Sequence, residues 1–229
     1  MKNIIHVHIG KCAGGSINLG LHQLGISFEE LHCGDANITL KQRLKADTGN
    51  NIYLISLRDP ISRAISSFNW DKYEKLIVQK STNELWNKIY ARFANLESLV
   101  SAYGSCDKEL AALAELAFKE SNLHLHLGLA WYVPEEIAKL LPPKRTFILH
   151  TESLDSDFGR MLSLHFPSTE FNAALPRDKD NKSFLSQANI PSPKFLSEES
   201  INKLRSEILK DDYRVLEVFR NRQIMTVTY

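Results

Sequence analysis

The sequence predicts an α/β fold, a single domain over residues 1–229 with a mostly parallel central sheet flanked by helices. Three observations predict it. Short runs rich in β-branched residues recur at Asn3–Ile9, Asn51–Leu57 and Arg145–His150. Stretches of helical character separate them, which is the alternation that gives parallel strands covered on both faces. The length, 229 residues with 43% hydrophobic, suits one domain with a sizeable core.

Asn3–Ile9 ends at Gly10 and reads as a buried strand. Ser16–Leu24 places Ile17, Leu19, Leu21 and Leu24 at spacings compatible with a helix, with Gly25 as its stop. Ile26–Leu31 reads as a second strand, Thr39–Ala46 as a short helix and Asn51–Leu57 as the clearest later strand. Asp59-Pro60 is a helix start, because Asp can accept from free N–H groups and Pro lacks only a donor that the first turn does not use. That helix is expected to run to about residue 79. A helical insertion is expected around residues 80–140, broken near Gly104 and Pro134. After Arg145–His150 come a helix at Leu154–Leu164, a long polar loop at Phe166–Pro193 and a last helix at Ser197–Phe219. Ser197 is placed to cap the last helix without a capping box, since position 200 is Ser rather than Glu or Gln.

Lys+Arg is 28 and Asp+Glu is 27, a net charge of +1, which argues against nucleic-acid binding by overall charge. Cys12, Cys33 and Cys106 are odd in number and form no CxxC pair, so a reducing compartment is expected rather than a disulfide framework. No apolar run approaches the length of a membrane span, and the chain begins without a signal-peptide pattern. The expectation is a soluble, cytoplasmic protein.

Two segments carry anion chemistry. In Ile9–Ile17 a strand runs into glycines and then a helix, so backbone N–H groups and the positive helix end converge on one spot. Lys11 adds a full charge, Ser16 a hydroxyl, and Gly14 and Gly15 allow close approach. The plain alternative is a strand–helix turn that needs glycine for geometry alone. This is not the GxxxxGK[ST] loop of nucleotide-triphosphate enzymes, because Lys11 precedes the glycines. The second segment places Arg58 at the carboxyl end of a strand, on the same sheet edge as Lys11, with Ser62 and Ser66 on one face of the next helix. The plain alternative there is an Arg58 that pairs with a carboxylate and a tolerated helix serine.

Taken together, the two segments resemble a known family. His8-Ile9-Gly10-Lys11-Cys12-Ala13-Gly14-Gly15-Ser16-Ile17 is similar to the 5′-phosphosulfate loop of PAPS-dependent sulfotransferases, often written HIPKTGGTSL. Leu57-Arg58-Asp59-Pro60-Ile61-Ser62-Arg63-Ala64-Ile65-Ser66-Ser67-Phe68 is similar to their 3′-phosphate motif, of the form LRDPVSRAVSAF. Asn181-Lys182-Ser183 resembles the family's late NKS, and Glu152-Ser153-Leu154 and Asp211-Asp212-Tyr213 sit where related bacterial and carbohydrate sulfotransferases carry similar residues. Residues 70–140 have no counterpart. Gly10, Cys12, Ala13 and Gly15 depart from the family's Pro, Thr, Gly and Thr, which shifts donor binding towards backbone N–H groups and Ser16.

The resemblance implies a P-loop-type sulfotransferase fold and a metal-free reaction. In it PAPS (3′-phosphoadenosine 5′-phosphosulfate) gives its sulfuryl group by in-line displacement to a hydroxyl or amine of a small molecule or glycan, leaving PAP. It assigns donor binding to Lys11, Cys12, Ala13, Gly14, Gly15, Ser16, Ile17, Arg58, Ser66 and Lys182. Lys11 would also stabilise the leaving phosphate oxygen. The acceptor needs a general base. His32 is the candidate, with Glu29, Glu30 and Asp35 as neighbouring alternatives and a surface or core histidine as the plain one. His124 and His126 would serve an acceptor pocket, or bind a metal only if their segment were a strand; His6 and His8 read as structural. Trp70, Tyr73, Trp86, Tyr90, Trp131 and Tyr132 have spacings that suit a core as well as a sugar platform. Two other classes remain open: a P-loop kinase or phosphotransferase, and a non-catalytic nucleotide-binding module on the same scaffold.

Overall fold

The computed structural model describes residues 3–120, 122–169, 171, 174–177 and 195–224. It has an α/β fold that divides into two compact units. The first comprises Met1–Asp59, Leu129–Lys179 and Arg214–Tyr229, and the second Pro60–Gly128 and Asp180–Tyr213.

Among its described residues the first unit holds four strands: β1 (Asn3–Val7), β2 (Phe28–Leu31), β3 (Asn51–Leu57) and β4 (Thr146–His150). They form one sheet in the order β2-β1-β3-β4, with every pairing parallel. The register runs Asn3↔Asn51 to Val7↔Ile55 between β1 and β3. β3 is buried along six successive residues, the mark of a strand covered on both faces. One face packs Ile4, Ile52, Leu54 and Leu149 against Ile17 and Leu21 of α1 (Gly14–Gln23) and Phe158, Met161 and Leu162 of α9 (Leu154–His165). Each such aliphatic side chain contributes roughly 1.5–3 kcal/mol by leaving water. Gly20 lets α1 lie close: a Cβ there would collide with Leu175. The unit also contains α2 (Ala36–Lys45), α7 (Leu129–Tyr132) and α8 (Glu135–Ala138).

Among its described residues the second unit's regular elements are all helices, joined by turns. It begins with α3 (Pro60–Asn69), which starts at the proline as expected and passes without a break into a π-helical stretch, Trp70–Val78. Together these reach the expected end near residue 79, but the change of hydrogen-bonding pattern at Trp70 was not legible in the residues. α4 (Glu84–Arg92), α5 (Leu96–Ala102) and α6 (Lys108–Lys119) follow. The helix from Pro60 and the helical insertion after residue 80 form one unit, because Ile61, Ala64 and Phe68 belong to the same core as Ile89, Leu99 and Ala114. The last helix is also divided, into α10 (Glu198–Lys203), a π-helical turn at Leu204–Ile208, and α11 (Lys210–Asn221). Ser197 caps α10 by accepting the Ser200 N–H at 3.1 Å. Glu97 takes the Ser197 N–H and the hydroxyls of Ser197 and Ser200, each within 2.9 Å. The expected loop over Phe166–Pro193 lies for the most part outside the described residues. No helix among the described residues is long and apolar enough to cross a membrane.

Candidate functional site

The strand order reverses between β1 and β3: the chain moves outward to β2 on one side and to β4 on the other. In open α/β sheets ligands collect outside the carboxyl ends of the strands at this switch point. The loop after β1 and Arg58, the residue directly after β3, flank it.

The loop is strained in an informative way. Lys11 and Ala13 both adopt the left-handed conformation, with φ of 68° and 59°, although neither is glycine. Each such residue costs on the order of 1–2 kcal/mol. The Cys12 N–H donates back to the Ile9 carbonyl at 3.2 Å, and the Ile9 N–H donates to the Ser56 hydroxyl at 3.2 Å, tying the loop to β3. Alternating backbone hands turn successive N–H groups to one side, the geometry of an anion nest. Ala13 occupies the cap position of α1 and has no side chain that can accept from the first-turn N–H groups. No acidic residue lies in that first turn.

Several side chains have other duties than expected. Cys12 is fully buried and acts as a small core residue. Ile17 is in the core and its N–H is already bonded to the Ala13 carbonyl, so of the expected donor contacts it has nothing to offer a ligand. Gly14 is needed because a Cβ there would run into the imidazole of His8. Ser16 is buried, and Lys11 and Arg58 are partly exposed. Ser66 is buried on α3 and belongs to the helical unit. Lys182 lies outside the described residues.

His8, which directly follows β1, does more than fill space beside Gly14. Its Nδ1 meets the Glu30 carboxylate, and its ring stacks on His32 with centroids 4.1 Å apart. Its carbonyl accepts from His32 Nδ1 at 2.7 Å. That bond fixes the His32 tautomer, placing the proton on Nδ1 and the lone pair of the neutral ring on Nε2. Tyr132 Oη lies 3.3 Å from His32 Nδ1, accepts the Cys33 N–H at 3.3 Å and stands 3.6 Å from Cys33 Sγ. Hydrogen bonding to Cys33 raises His32 above the ordinary imidazole value, against the effect of partial burial. The same bond lowers the Cys33 thiol. His6 completes the row: it is fully buried, bonds Asn18 at 2.7 Å, and burial pushes its pKa down to about 3.

Two of the three other base candidates are engaged. Glu29 is held by Arg43 at 2.8 Å. Burial pushes the Glu30 carboxyl up, but His8 and Asn18 outweigh it and hold it below the ordinary range. Asp35 stands at the start of α2 without capping it.

The helical unit has its own polar cluster. Asp71, on the π-helical stretch and fully buried, accepts from the His124 ring and from the His124 N–H at 3.0 Å, and the Tyr90 hydroxyl donates to it at 3.3 Å. His124 and His126 lie in a turn, neither helix nor strand, and diverge: His126 Nδ1 accepts from the Asn122 N–H instead. Arg63 is 1% exposed and donates to the carbonyls of His124, Leu125 and Leu127. Of the six aromatic residues considered as a sugar platform, Trp70, Tyr73, Tyr90 and Tyr132 are buried. A depression of about 730 Å³ is lined by Tyr103, Glu198, Glu199, Lys203 and Glu207. None of the candidate residues lines it, and its three carboxylates disfavour an anionic nucleotide.

Sequence reasoning missed Tyr132 as the partner of His32 and Asp71 as the partner of His124. Tyr132 is 100 positions from His32, and Asp71 is 53 from His124. No local pattern signals contacts at such separations. No family model, curated protein or solved structure matches the chain.

Proposed function

We propose that the chain is a PAPS-dependent sulfotransferase acting on a hydroxyl or amine of a small molecule or glycan. One observation carries the reading: at the switch point of the sheet, a left-handed loop bearing Lys11 opens onto the uncapped start of α1, and Arg58 stands at the end of the adjacent strand. These residues suit a ligand with two anionic ends. The N–H groups that begin α1 lack intrahelical acceptors, and the nest and two cations supply the matching charge. The departures from the family loop fit the same account, because Cys12 is buried and the donation falls to backbone groups.

PAPS supplies an activated sulfuryl group. Lys11 offers an ammonium to the charge that develops on the leaving phosphate oxygen. Arg58 offers a bidentate fork to the second phosphate. His32 takes the acceptor proton on Nε2, with the His8 carbonyl holding the ring in place. Because His32 is raised, transfer is expected to increase with pH as that ring loses its proton.

Calorimetry with adenosine 3′,5′-bisphosphate against ATP tests the donor. The bisphosphate should bind more tightly, and Arg58→Ala should weaken it roughly tenfold to hundredfold, as for lost hydrogen bonds to a charged group, while leaving its 3′-dephospho analogue unchanged. Tighter binding of ATP with a Mg²⁺ requirement would sink the reading in favour of a phosphotransferase. Binding of the bisphosphate without turnover of any acceptor would leave a nucleotide-binding module.

A further inference from the structure

Cys33 lies two residues beyond β2, in a place the donor reading does not use. Its backbone is left-handed, with φ of 57°, and Gly34 follows at 50°. One phenol holds this conformation: Tyr132, 1% exposed, accepts the Cys33 N–H and sits beside both Cys33 Sγ and His32 Nδ1. Cys33 itself is half-buried, so small reagents can reach it. Of the other cysteines, Cys12 is buried in the core and Cys106 is exposed. A thiol beside an imidazole and a phenol, at an accessible strand end, is the environment of a reactive cysteine rather than a packing one.

We propose that Cys33 is a nucleophilic thiolate site, modified by low-molecular-mass disulfides through thiol–disulfide exchange, with His32 as its cationic partner. The Cys33 sulfur attacks one sulfur of the disulfide and a new S–S bond forms. The original S–S bond breaks, and its electron pair leaves on the second sulfur as a thiolate, which takes a proton from the His32 imidazolium. The groups facing the thiol are His32 from its own strand end, Tyr132 from α7 and Glu30 from β2, with His8 of the β1 end stacked behind His32. Partial burial opposes the thiolate, and so does the charge of Glu30, whose carboxylate is engaged by His8 and Asn18. The two partners titrate together: hydrogen bonding to His32 lowers the thiol and raises the imidazole. Capping the sulfur removes the largest of the influences that raise His32, so the ring becomes easier to deprotonate. The proposal concerns the thiol alone and stands apart from the donor assignment.

The test is alkylation by iodoacetamide across pH, read at Cys33 by peptide mass spectrometry, in the folded protein and in the same chain unfolded in urea. The pH midpoint for Cys33 is expected to be lower in the folded chain, and His32→Gln should move it back up and slow alkylation several-fold at neutral pH. Oxidised glutathione should leave its adduct on Cys33 and not on Cys12. A folded-state midpoint equal to or above the unfolded one would overturn the proposal. A lowered midpoint that His32→Gln leaves in place would overturn the role given to His32, and absence of the adduct would overturn disulfide exchange. If His32→Gln does not fold, Tyr132→Phe reports in the same direction, and the folded-against-unfolded comparison decides by itself.

Discussion

In the sheet unit, Lys11, His32, Cys33 and Arg58 follow the carboxyl ends of strands and are at least partly exposed. In the helical unit, Asp71 and Arg63 are turned inward, at 0% and 1% exposure, onto the backbone of residues 124–127. Both units spend polar side chains on irregular backbone. The first leaves their chemistry open at an edge, whereas the second consumes it in holding a turn. A buried ion or hydrogen-bond acceptor is therefore a poor guide to activity here. The better guide is a polar group that shares a partner with strained backbone and still meets solvent.

The largest effect that tests this contrast is on transfer. Lys11→Ala is expected to lower the rate roughly hundred- to thousandfold, the scale for removing one charge-stabilising donor, with an unfolding midpoint in urea close to that of the parent chain. Equal loss of stability and activity would erase the distinction. Next comes Asp71→Ala, which strands the buried Tyr90 hydroxyl and two donors of the partly exposed His124. It should cost about 3 kcal/mol of stability in urea titration. A loss of transfer in a chain of unchanged stability would instead move Asp71 and His124 into the chemistry.

The last effect is one of pH. His6 is held neutral by burial, with a folded value of about 3 against 6.5 for the free ring. Between those values the unfolded chain binds a proton that the folded chain does not, so stability is full above about 6.5 and falls as the pH drops towards 3. His6→Leu should flatten that part of the urea-derived stability curve. An unchanged slope would mean that His6 is not the group responsible.

Much of the sheet unit was legible in the residues. Asn51–Leu57 was bounded correctly because β-branched and aromatic side chains buried on both faces leave a continuous apolar run. The loop after β1 was visible because Lys and Gly at a strand–helix junction follow from local backbone chemistry. The start of α1 was placed at Ser16 rather than Gly14, since no sequence rule anticipates left-handed Lys11 and Ala13. From the residues alone, Gly14 suits either close approach of a phosphate or the geometry of a strand–helix turn, and the structure adds the ring of His8 as its immediate cause. The helical unit was read as helices but not as a unit with its own core. Its π-helical stretch, and the pairing of Asp71 with His124, depend on contacts between segments that nothing local announces.

The collision between Gly14 and His8 has a genetic consequence. A methyl group at position 14 would have to displace a ring that carries Glu30 on one side and His32 on its face. Positions 8 and 14 should therefore behave as a suppressor pair. Damage done by Gly14→Ala would be relieved by a small residue at 8, and a selection for second-site revertants of the one should return the other.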